Sequence, residues 1–203
     1  MKTCTPLLAL AALIFIQNPA RAQTDTAKIA NRVLLFADSL NKTDHYQSWN
    51  QYADLVPASV IKHYGGRDGL IEHVKTVRKK TVSSQEDEMP PEMSILSLKT
   101  ENDQWQCVIR KSSWFHREDQ KYHAVTYLVG QSKDEGETWR LFDVSHNTVA
   151  NIIYLLPDVF GDLAIPEPII ISEKEELAKA EAAKQEAAKA TASAQKGKAV
   201  KKK

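Results

Sequence analysis

The sequence predicts an α+β domain in which three N-terminal helices pack on a curved four-stranded antiparallel sheet. Three observations lead there. Residues 24–82 carry three apolar stripes at helical spacing, parted by Asn41-Lys42-Thr43-Asp44, by Pro57 and by Gly65-Gly66. Residues 93–146 carry four runs rich in β-branched and aromatic residues. The turns between those runs are short and polar (END, EDQ, KDEGE), and connections of that length join antiparallel neighbours, because parallel ones need a crossover of about a dozen residues.

The leading 22 residues stand outside that domain. Lys2, an apolar run over 7–16 and the small-x-small triplet Ala20-Arg21-Ala22 form the pattern of a secretory signal peptide cut before Gln23. The run is about half of the ~20 residues a bilayer span needs, so no membrane span is expected. Cys4 precedes the run, whereas a lipidated cysteine would follow it. The expected product is an exported protein, periplasmic or secreted, whose one remaining cysteine, Cys107, forms no intramolecular disulfide.

In the first helix, over 24–40, Ile29, Val33, Phe36 and Leu40 recur at three- and four-residue intervals. The second, over 45–56, turns Trp49, Tyr52, Ala53 and Val56 to one side, and Pro57 ends or restarts it. Gly65-Gly66 supplies a turn at low steric cost. The third helix, over 68–82, buries Leu70, Ile71, Val74 and Val77 and ends on Lys75, Arg78, Lys79 and Lys80, charges that suit its dipole. A loop over 83–92, with four acids and two prolines, has nothing to bury.

The strands follow. In the second, Trp105, Cys107 and Ile109 share one face and alternate with Val108 and Arg110, and Lys111-Ser112-Ser113 suggests a bulge or bend within a long strand. In the third, His123, Val125, Tyr127 and Val129 share a face. Apolar residues on both faces imply a sheet covered on one side and partly hidden on the other. A short helix over 147–156, with Val149, Ile152, Ile153 and Leu156 inward, closes the body, and an extended segment runs on to 171.

Charge divides the chain. Residues 23–171 hold 16 Lys and Arg against 21 Asp and Glu, a net of −5, whereas 172–203 hold 9 Lys against 5 Glu, a net of +4. An acidic body argues against specific nucleic-acid binding. The Ala/Lys/Glu-rich tail, helical or disordered, has six lysines from Lys189 onward and no acid among them, which suits salt-sensitive contact with anionic surfaces.

The order helix, helix, glycine turn, helix, long bent sheet resembles the nuclear-transport-factor-2-like superfamily, which includes ketosteroid-isomerase-like and SnoaL-like proteins. The stretches that carry the resemblance are WNQYADLVP at 49–57, YGGRDGL at 64–70 and WRLFDV at 139–144. It implies a cone-shaped fold over about residues 24–157, with a pocket at the cone's mouth and a homodimer through the open sheet face. The pocket-lining candidates it brings together are Trp49, Tyr52, Asp54 and Tyr64 from the helices, with Trp114, His123, Tyr127, Asp143 and His146 from the sheet; His63 is nearby. Enzymatic members place a carboxylate with a phenol or imidazole inside the cone. Asp54 lies near the usual acidic position, but no tyrosine with a second aspartate falls at matching places.

A His–Asp pair would serve as a general base with its orienting group, and Asp143 with His146 or Asp54 with His123 are the pairs to consider. None of the six histidines falls in a metal motif such as HExxH, and GxSxG, GxxxxGK and GxGxxG are missing, so neither metal nor cofactor is expected. The leading expectation is an exported cone-fold protein that is not assigned a reaction and binds a small apolar ligand or a protein partner. One alternative is a proton-transfer enzyme, isomerase- or dehydratase-like, acting on a small apolar substrate. The other is a structural envelope component with a cationic tail.

Overall fold

The computed structural model describes residues 19–81, 90–101, 104–117 and 120–200. The apolar core of the expected signal peptide and most of the acidic loop lie outside those residues. The elements in order are α1 (Pro19–His45), α2 (Trp49–Asp54), α3 (Ala58–His63), α4 (Arg67–Thr81), β1 (Glu92–Glu101), β2 (Gln104–Arg117), β3 (Gln120–Ser132), β4 (Arg140–Asp143), α5 (Val149–Leu155), β5 (Ile169–Ser172) and α6 (Glu173–Val200). The class is α+β, with an antiparallel sheet ordered β1-β2-β3-β4 and β5 added against β3. No helix among the described residues is long and apolar enough to cross a membrane.

Among the described residues four helices precede the sheet where three were expected. The first runs through the polar stretch 41–44 instead of breaking there. The Thr43 hydroxyl donates back to the Leu40 carbonyl at 2.8 Å, Lys42 pairs with Asp38 one turn earlier, and Asp44 pairs with Arg78 of α4 at 2.8 Å. Tertiary and i,i+4 pairing thus outweigh the break that composition suggests. The chain turns instead at Gln47, in the left-handed region at φ 54°. What reads as one second helix is therefore α2 alone, and Pro57 caps a separate α3. Gly65 and Gly66 make the predicted turn into α4 with φ of 78° and 110°, a conformation a side chain would resist.

The sheet is five-stranded rather than four-stranded. The run Ile169-Ile170-Ile171, expected only to be extended, pairs with β3 from Tyr122↔Ser172 to Val125↔Ile169. β4 pairs with the other half of the same edge, from Leu128↔Asp143 to Gln131↔Arg140. The bulge lies in β1, where Leu96 is the extra residue between Ile95 and Ser97, while β2 passes through 111–113 in unbroken register with β3. Lys111-Ser112-Ser113 stays regular because a full partner strand lies beside it.

The core gathers Val33, Ala37 and Leu40 of α1, Tyr52 and Val56, and Leu70, against Cys107, Ile109, Val129, Trp139 and Leu141. Gly130 sits where strands crowd: a Cβ there would lie 2.7 Å from the Cys107 sulfur and 3.3 Å from both Trp139 and Leu141. The Leu141 amide donates to the Leu55 carbonyl at 2.8 Å, which ties α2's end to β4. In α5, Ile152 and Leu155 are buried with Leu156, while Ile153, expected inward, is exposed.

Both faces of the sheet are covered around Gln106. Trp105 faces Ile29 and Arg32 of α1. Gln106, pointing the other way, is fully buried and grips the returning chain: its amide donates to the Asp158 carbonyl at 2.6 Å and its oxygen accepts from the Phe160 amide at 2.9 Å. Farther along that second face α6 folds back over β3. The chain's own C-terminal segment thus lies against this face at Gln106 and at His123.

Candidate functional site

The sequence-predicted residues fall into separate groups. Asp54 lies at the α2–α4 junction. It extends from α2 into solvent, its side chain 65% exposed, and accepts from the Arg67 guanidinium at 2.7 Å. That contact holds the carboxyl below its usual range. Arg67 also reaches the Asn50 carbonyl, so the cluster fastens α4 to α2. Trp49 stands edge-on to Tyr52, ring centroids 6.5 Å apart. Tyr52 is buried, and that burial, with Asp143 nearby, drives its phenol well above the ordinary value.

Asp143 accepts from the Ser145 amide at 2.9 Å, and the Ser145 hydroxyl in turn accepts from the Tyr127 amide at 2.8 Å. This is a turn closure after β4, with Tyr127 buried beneath it. His146, next along, is exposed. His123 lies far from Asp54 in function: it bonds Glu176. Asp143, Asp54 and His123 thus each bond a group other than the partner expected for it.

Tyr64 gathers two imidazoles and a phenyl ring. It stacks on His73 at 4.1 Å and 23°, meets His63 edge-on at 5.0 Å, and lies 6.2 Å from Phe142. Burial raises its phenol, and a bond with Asn147 works against that. His73 is lowered from the ordinary 6.5 chiefly by burial, then by the neighbouring His146 and His63. No group of three His, Cys, Asp or Glu among the described residues is arranged to hold a metal ion.

Two arrangements were not foreseen. The first is a cleft of about 440 Å³ between α1 and the β3–β4 hairpin. Trp105, Ile29 and Gly136 form its apolar wall, and Lys28, Arg32, Glu135, Glu137 and Thr100 complete it. Arg32 and Glu137 pair across it. Asp134 fixes the hairpin by accepting from the Thr138 amide at 2.9 Å and from the Ser132 hydroxyl at 2.7 Å. These bonds hold its carboxyl below the usual range, Thr138 contributing most. The buried Trp139 indole donates to the Gly136 carbonyl at 3.1 Å.

The second lies on the face of β2 and β3 that carries Gln106. Ser112 Oγ is 2.8 Å from His123 Nε2, and His123 Nδ1 is 2.9 Å from Glu176 Oε1 of α6. Trp114 stacks on the His123 ring at 4.6 Å and 13°. The expected three-residue turn EDQ would set Trp114 opposite Ala124; Gln120 instead pairs with Arg117, and that one-residue difference puts His123 opposite Trp114. Nothing in the tail's composition singles out Glu176.

No family model matches this chain, and no curated protein or solved structure matches it either.

Proposed function

We propose that this chain is an exported binding domain of the cone class that holds a small ligand in the cleft beside Trp105. The observation that carries the reading is the cleft itself. Its volume of about 440 Å³ lies in the range of small-molecule sites. Its wall is an indole, an isoleucine and a glycine, and its lining includes no histidine, cysteine or serine to act on a bound molecule. Arg32 and Glu137 satisfy one another, and of the two remaining charges, Lys28 and Glu135, we assign Lys28 to meet an anionic group. The ligand class is a small molecule with an apolar body and one negative charge. The cone shape is supported by the helices-then-sheet order and the bulge at Leu96.

Export is supported by Lys2, the apolar run at 7–16 and Ala20-Arg21-Ala22. Cleavage before Gln23 shortens α1 by four residues and leaves its buried stripe, which starts near Ile29, untouched.

The test uses 1-anilinonaphthalene-8-sulfonate, whose fused rings and sulfonate match the wall and Lys28. Fluorescence titration of the chain from Gln23 should saturate at one site. Ile29→Asp, which puts a charge against the indole, should weaken the affinity at least about tenfold. Equal affinity in both proteins would remove the cleft from consideration.

A further inference from the structure

Opposite the cleft, on the other face of β2, three side chains form an ordered hydrogen-bond chain. Glu176 accepts at Oε1 from His123 Nδ1, which commits the imidazole proton to that nitrogen and leaves Nε2 as the acceptor for the Ser112 hydroxyl. The second Glu176 oxygen is buried with no hydrogen-bond partner, so the carboxylate's compensation is directed through His123. Stacking on Trp114 restrains the ring on its remaining side. The glutamate is itself held in place. Ser172 and Glu175 bond each other's amides reciprocally at the start of α6, and Glu173 pairs with Lys121 of β3 at 3.6 Å. Lys121 also sets its ammonium over the Trp114 ring, 4.7 Å from the centroid.

We propose that Ser112, His123 and Glu176 are a nucleophile, a general base and its positioning residue, and that this face cleaves small activated carboxylic esters. The order of roles is that of an activated serine: hydroxyl to imidazole to carboxylate, each within hydrogen-bond reach of the next. Ser112 Oγ attacks the ester carbonyl carbon while its proton passes to His123 Nε2. The tetrahedral oxyanion collapses, the ester C–O bond breaks, and the alkoxide leaves as the alcohol with the proton from Nε2. Water then attacks the acyl-Ser112 ester, giving its proton to Nε2, and the acid departs as Ser112 regains its hydrogen. His123 is 13% exposed and Ser112 half-buried, so a short acyl group reaches the hydroxyl whereas a bulky one is stopped by α6.

The experiment follows hydrolysis of p-nitrophenyl acetate by the full chain. Ser112→Ala should lower the rate at least about 100-fold, the lower end of what general-base assistance supplies. Glu176→Gln should lower it at least about tenfold and shift the acid limb of the pH–rate profile, which a purely structural glutamate would leave in place. A wild-type rate equal to that of Ser112→Ala would mean catalysis by imidazole alone and would overturn the proposal. A second measurement guards against misfolding. In the chain from Gln23, which lacks Cys4, Ser112→Cys should be alkylated by iodoacetamide at least about tenfold faster than the same variant carrying His123→Gln, while the buried Cys107 stays unreacted. Equal alkylation rates would also overturn it.

Discussion

At the residue scale, the sharpest constraint is Gly130. Ala there would press a methyl group into the Cys107 sulfur, and we expect Gly130→Ala to destabilise the fold by about 1–3 kcal/mol in chemical denaturation. Adding Cys107→Ala should recover much of that loss, because the nearest clashing atom is the sulfur. Cys107 itself is inert, its thiol pushed up to about 12 by burial. His73 gives a pH prediction. The folded chain holds its proton more weakly than the unfolded chain does, so the stability it contributes is present above 6.5 and is lost as pH falls through the lower folded value. Melting temperatures should drop from pH 7 toward acid, and His73→Gln should flatten that part of the curve. The sequence marked Tyr64 and His146 as neighbours at a pocket mouth, but His73 read only as one more helix residue. Its role depends on where α4 lands against Tyr64, which spacing along one helix cannot reveal.

Elements were more legible than single contacts. The first three hairpin-linked strands, α1's apolar stripe and the glycine turn followed from periodicity and turn chemistry, both local properties of the chain. Two readings failed because distant residues decided them. Asp44 stays helical through Arg78, 34 positions later, and Ile169-Ile170-Ile171 becomes a strand because β3 has half an edge left over beyond β4. We expect Arg78→Gln to cost about 1.5–3 kcal/mol, the range for hydrogen bonds to charged groups, and to fray α1's last turn in hydrogen exchange. Gln106 plays the same part for the returning segment. Gln106→Leu leaves the Phe160 amide without its partner, at a cost of about 1–3 kcal/mol. Amides at 159–163 should then exchange faster than those of β2 and β3, and uniform exchange across the domain would count against this anchoring role.

On the scale of the whole molecule, an acidic body carries a basic tail that is not wholly separate from it. The composition of 172–203 suggests a detached helix, yet its first turn is attached to β3 through Lys121–Glu173 and His123–Glu176. Only a partner strand could make that visible, since Glu173 and Glu176 look like any other acids of a solvated helix. The sheet is thereby covered on one face by α1 and on the other by the chain's own return, and the cleft beside Trp105 remains as an opening of ligand size. The measurement that tests this most directly is the ¹H–¹⁵N spectrum of the chain from Gln23, titrated with 1-anilinonaphthalene-8-sulfonate. The shifted amides should cluster at Lys28 to Arg32, Thr100, Trp105 and Glu135 to Glu137; shifts confined to β5 and α6, or scattered over the surface, would rule out binding in the cleft.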